Sequence, residues 1–89
     1  MQKSIFSPEY KLLISLMRAE RETRGLSQDL VAERVGITAS QLSKWERRER
    51  RVDLRELRLY CAALDIPLQT LIGAWEAALA LDQEPDSEI

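Results

Sequence analysis

The chain has no histidine, one cysteine, three glycines, three prolines and few aromatic residues (6%) among its 89 positions. With no His and only Cys61, there is no ligand set for a zinc or haem site, and no cofactor of any kind is expected. A lone cysteine cannot close an internal disulfide, which excludes the stapled secreted mini-proteins. No apolar run approaches the ~18 residues of a membrane span. The opening MQKSIFSPEY lacks the apolar stretch of a signal peptide, so the expected compartment is cytoplasmic. Glycine-rich phosphate loops and the GxSxG motif are missing. No nucleophile–base pair stands out, and Glu20 and Glu22 do not share a helix face, so catalysis is not expected.

What remains is helix-forming. Apolar residues make up 45% and charged residues 31%, too apolar for a disordered chain. Abundant Leu, Ala, Glu and Arg with little Gly and Pro predict an all-α fold of one domain's size. Net charge is −2, but unevenly spread. Residues 1–58 hold all 13 Lys and Arg against nine acids, net +4; residues 59–89 hold six acids and no base, net −6. The steepest stretch is Lys44 to Arg51, KWERRERR, with five bases and two acids. On charge alone, such a run suits a solvated helix end as well as a phosphate-contacting rim.

Local signals divide the chain into five helices. Ser7-Pro8-Glu9 opens the first, which runs to about Arg24 with Tyr10, Leu13, Leu16 and Met17 on its apolar face and Gly25 as its stop. Ser27 caps a second from Gln28 to about Val35, ended by Gly36. Thr38 caps a third, with Gln41 at capping-box spacing and Leu42 and Trp45 as anchors. Asp53 and Glu56 repeat that spacing for a fourth, and Pro67 opens a fifth. The expected organisation is a flexible segment 1–7, a domain 8–81, and an acidic disordered tail 82–89.

The stretch Gln28–Arg47 carries a helix-turn-helix pattern. Ala32 is small enough for two helices to approach closely. Gly36, four residues on, lets the chain reverse at positive φ. Val31, Val35, Ile37, Leu42 and Trp45 then supply the apolar contacts that fix a steep crossing.

These residues resemble the Xre-type, Cro/CI or lambda-repressor-like family. The resemblance spans roughly Leu13 to Ile72. It rests on Met17-Arg18 and Arg21, Gly25-Leu26-Ser27-Gln28, Ala32, Val35-Gly36-Ile37, Leu42-Ser43-Lys44-Trp45-Glu46 and Ala63-Leu64-Asp65-Ile66. It implies a five-helix DNA-binding domain whose third helix enters the major groove of double-stranded DNA. It further implies a transcriptional regulator, expected to be a repressor acting as a homodimer on an inverted repeat. Two other readings stay open. One is an antitoxin that represses its own operon and meets a protein partner through the acidic C-terminus or the fifth helix. The other is a protein–protein adaptor with the same fold.

By matching position, Ala39, Ser40 and Lys44 fall on base-facing sites, with Gln41 beside them. Lys44 is the strongest reader, because a lysine donates to guanine O6 and N7. Gln28 matches a phosphate-contacting residue at the start of helix 2, where exposed N–H groups favour an anion. The caps Ser27 and Thr38, with Arg47, Arg48, Arg50 and Arg51, complete the expected phosphate contacts; four arginine contacts would give a log K against log salt slope of about −4. Arg21 and Glu46 match an ion pair that supports the recognition helix and offers Arg21 to a phosphate. The family usually has Gly where this chain has Arg48, which predicts a different end to helix 3, about one turn later. Leu71, Trp75, Ala78 and Leu79 suit either the domain's own core or a dimer seam. Cys61, among apolar residues, reads as a small core hydrophobe.

Overall fold

A computed structural model describes residues 7–82. Among them are five helices and no strand: α1 Pro8–Thr23, α2 Gln28–Val35, α3 Ala39–Glu46, α4 Leu54–Ala63 and α5 Leu68–Asp82. Of the expected terminal segments, Ser7 caps α1 and Asp82 ends α5; the others lie outside the described residues.

Each of the first four helices starts on a side chain that takes up a backbone N–H left over by the first turn. Ser7, Ser27, Thr38 and Asp53 accept from Tyr10, Leu30, Gln41 and Glu56 respectively. In α3 and α4 the capping box is complete: Gln41 and Glu56 reach back to the N–H of Thr38 and Asp53.

Helix ends are equally defined. Gly36 takes φ 94° after α2, a conformation open to glycine at no steric cost. Its N–H and that of Ile37 both return to the Ala32 carbonyl. Helix α3 ends at Glu46, not a turn later as the substituted glycine position suggested. Arg48 itself adopts φ 61°, and the N–H groups of Arg48 and Glu49 bond back to Trp45 and Lys44. That is a complete Schellman motif built without glycine. Asp65 closes α4 the same way at φ 64°.

The helices enclose one core. Helix α2 packs on α3 and α4, α1 on α3 and α5, and α4 on α5. Leu13, Ile14 and Met17 from α1 meet Val31 and Ala32 from α2, Leu42 and Trp45 from α3, and Leu57, Tyr60 and Cys61 from α4. Full burial of one such large side chain contributes roughly 1.5–3 kcal/mol. Burial pushes the Cys61 thiol up to about 11, so it stays protonated and inert. Three polar ties fix the outer elements. The Arg34 guanidinium donates to the Ala63 carbonyl at 2.7 Å, the Val52 N–H to the Tyr10 hydroxyl at 3.0 Å, and Trp75 Nε1 to the Glu9 carbonyl at 2.9 Å.

The expected seam on α5 is redrawn by this packing. Leu71 is only 1% exposed and belongs to the core, so it cannot face a second copy. Trp75, Ala78 and Leu79 are half-buried, and Leu81 is 72% exposed.

Candidate nucleic-acid interface

Two turns of helix carry the candidate reading surface. Within α3, Leu42, Trp45 and Glu46 point inward and are buried. Helical spacing then turns Ser40, Gln41, Lys44 and Arg47 to solvent, with Ala39 and Ser43 half-buried at the edges. Gln41 is partly committed: its carbonyl oxygen accepts from Thr38 N at 2.9 Å, leaving its amide N–H groups unused by the cap.

The inner side of α3 is held by Glu46, 4% exposed. Its Oε2 accepts from Arg21 Nε at 2.7 Å and from the Tyr60 hydroxyl at 2.7 Å. Its Oε1 accepts from the second Arg21 nitrogen and from Gln28 Nε2, both at 2.9 Å. Four helices therefore meet on one carboxylate. Burial drives that carboxyl upward, but the donors from Arg21, Gln28 and Tyr60 outweigh it and hold it below the ordinary value. In turn the hydrogen bond to Glu46 raises Arg21, and burial followed by the adjacent carboxylate raises Tyr60 far above an ordinary phenol. Among the described residues no buried side-chain polar atom lacks a partner.

The Arg21–Glu46 pair thus forms as expected, but Arg21 is not offered to a phosphate. Its remaining nitrogen donates to the Leu26 carbonyl at 2.8 Å, and the side chain is buried. Tyr60 is a fourth member of this node that the sequence pattern did not single out. The available signal was chemical: a buried tyrosine hydroxyl needs a partner, and Glu46 follows the anchor Trp45 directly.

Flanking α3 are the α2 start and the basic run. Ser27 caps α2, leaving the backbone N–H groups of Gln28 and Asp29 for another acceptor. On the other side, Arg47 pairs with Glu49 at 3.2 Å. Arg50 is engaged by both oxygens of Glu56, at 3.0 and 2.8 Å, and this hydrogen bonding holds the Glu56 carboxyl below its ordinary value. Lys44, Arg48 and Arg51 make no ion pair among the described residues.

A short-turned pair of helices, the second capped, polar on its outer side and flanked by cations, defines a helix-turn-helix DNA-binding module. The helix-turn-helix family model HTH_3 matches residues 17–71. An XRE-family like protein from Pseudomonas syringae pv. tomato str. DC3000 has a solved structure similar to this one. It is 31% identical, with a TM-score of 0.75, over 79% of this chain and 85% of that one. The fold is also that of the clp gene regulator ClgR from C. glutamicum, at 23% identity and a TM-score of 0.73, covering 84% of this chain and 97% of that one. No curated protein matches the chain. The chain belongs to the XRE family of helix-turn-helix DNA-binding transcriptional regulators, a family that acts by binding and not by catalysis.

Proposed function

We propose that the protein is a repressor that binds an inverted-repeat operator as a homodimer. The observation that carries this reading is the Glu46 node. It buries the inner side of α3 and leaves Ser40, Gln41, Lys44 and Arg47 as a fixed polar strip. Lys44 donates to guanine, Gln41 and Ser40 hydrogen-bond neighbouring base edges, and Ala39 meets a thymine methyl. Ser27, Gln28, Thr38, Arg47, Arg48 and Arg51 hold the backbone on either side. Gln28 keeps one amide N–H on Glu46 and has a second for a phosphate, so its orientation is set before DNA arrives.

Occupancy is the simplest output of such a module, since a bound domain excludes whatever else needs the same site. Dimerisation is supported by the outer side of α5, where Trp75, Ala78 and Leu79 are partly uncovered and Leu81 stands in solvent. A two-fold dimer presents two copies of α3 about 34 Å apart, matching half-sites one helical turn apart. Selection of bound sequences from random duplex DNA tests the reading. A palindromic consensus is expected, and no enrichment at low salt would overturn it.

A further inference from the structure

Arg50 sits near the end of the basic run, yet its charge is already paired. Its two terminal nitrogens face the two oxygens of Glu56 in a fork-to-fork pair at 3.0 and 2.8 Å. Glu56 is fixed from behind as well. Oε1 accepts from the Asp53 N–H at 3.0 Å, while the Glu56 N–H donates to Asp53 Oδ1 at 2.7 Å. The carboxylate is therefore placed by the α4 cap whether or not Arg50 is present. The guanidinium also lies 5.8 Å from the centroid of the Trp45 ring, a cation–π contact.

Location makes this pairing matter to DNA. Arg50 and Glu56 line one wall of a cleft of about 230 Å³ whose other walls include Gln41, Lys44 and Trp45. On this flank of α3, Lys44 is exposed and makes no ion pair among the described residues, so it is open to a phosphate. Arg50 lines the same cleft, and its departure would strip its partner from a carboxylate only 16% exposed. The Arg47–Glu49 pair differs: a single 3.2 Å contact between side chains that are each about half exposed, which water and salt readily loosen.

We propose that Glu56 limits the strength and salt dependence of DNA binding by withholding Arg50 from the DNA backbone. The contacts that phosphate makes with cations are blind to sequence, and they supply nearly all non-specific affinity. Removing one cation from that set lowers binding to every sequence alike and leaves base reading by α3 untouched. The ratio of specific to non-specific binding is unchanged; total affinity and its dependence on salt both fall. Asp53, the cap beside Glu56, adds a second negative charge at the α4 start, where a phosphate would otherwise be attracted.

This inference rests on the DNA contacts proposed above, and its test separates the two. Binding of the full chain to a random-sequence duplex is measured by fluorescence anisotropy from 50 to 200 mM salt. Arg50→Gln is expected to leave the slope of log K against log salt where it is. Glu56→Gln keeps a side chain able to complete the cap and frees Arg50. Its slope is expected to steepen by about 0.9, an extra loss of roughly 3.5-fold in affinity across that salt range. Arg50→Lys keeps the charge but loses the fork, and is expected to move in the same direction. It supplies the readout if Glu56→Gln fails to fold by circular dichroism. A slope made shallower by about 0.9 in Arg50→Gln, with the other two variants unchanged, would overturn the proposal and return Arg50 to the phosphate contacts. If the unaltered protein binds no duplex at low salt, the DNA-contact reading itself falls, and this inference with it.

Discussion

The hydroxyl of Tyr60 donates to Oε2 of Glu46 at 2.7 Å, so α4 grips the last residue of the recognition helix from inside the core. Arg21 and Gln28 grip the same carboxylate from α1 and α2. The orientation of α3 is therefore set jointly by three other helices.

Removing the hydroxyl in Tyr60→Phe deletes a hydrogen bond to a charged group and is expected to cost about 1.5–3 kcal/mol. Glu46→Ala leaves Arg21 buried without its partner and is expected to cost about 3–5 kcal/mol. Urea unfolding of both variants measures this. A Tyr60→Phe protein as stable as the parent would contradict the role assigned to that hydroxyl.

Stability should respond to acid in one direction only. Glu46 titrates below its ordinary value of 4.5 when folded, and so does Glu56. The unfolded chain then binds more protons than the folded one as pH drops past that value. The stabilisation is fully present above about pH 4.5 and is lost as pH falls through the depressed folded values. With no histidine in the chain, Tm should be flat between about pH 6 and 8. Glu46→Gln should weaken the acid dependence; an acid limb identical to the parent's would remove Glu46 as its source.

Arg48 occupies the left-handed region at φ 61°. Side chains there cost roughly 1–2 kcal/mol, and glycine returns part of that through the unfolded state. Arg48→Gly is expected to gain about 0.5–1 kcal/mol in thermal or urea unfolding. The same change removes a phosphate candidate, so the salt slope on random DNA should become shallower by about 0.9. Asp65→Gly, also at a left-handed cap, should gain less, because aspartate tolerates that region better than arginine.

Lys44 is exposed on the outer side of α3 and free of ion pairs among the described residues. Lys44→Ala should lose about 1–3 kcal/mol on the selected operator and less on scrambled duplex. Equal losses on both in an anisotropy titration would make Lys44 a backbone contact instead.

Helix starts were readable in the sequence because their determinants lie within three residues: Ser7, Ser27, Thr38 and Asp53 each cap the helix expected of them. The turn at Gly36 and the burial of Ala32, Leu42 and Trp45 were readable for the same reason, local spacing. Features that depend on where distant chain returns were not. Ile14 is among the most buried residues of α1, although the apolar stripe pointed to Leu16, because the contacts with α3 and α5 set the helix's rotation. Leu54 looks like a core residue but is 68% exposed at the first turn of α4. Tyr60 meeting Glu46 needs α4, packed on α2 and α5, to bring its inner side to the end of α3. The pairing of Arg50 with Glu56 needs the intervening loop closed. In the candidate interface, the outward side of α3 and the Arg21–Glu46 pair beneath it were therefore legible, and the Tyr60 contact on the same carboxylate was not.

Helices α2 and α3 have eight residues each. Isolated helices shorter than about 12–15 residues are marginal in water. The reading element therefore has no independent existence: the buried carboxylate and the core create it, and it dissolves with them. Duplex DNA that engages only the assembled form would act as a folding ligand, raising the melting temperature by mass action with the logarithm of its concentration above the Kd. The population of readers and the population of folded chains are then one quantity. A change that loosens the core, however far from α3, would register first in the melting temperature, and would lighten the hold on DNA only once a sizeable fraction of chains is unfolded.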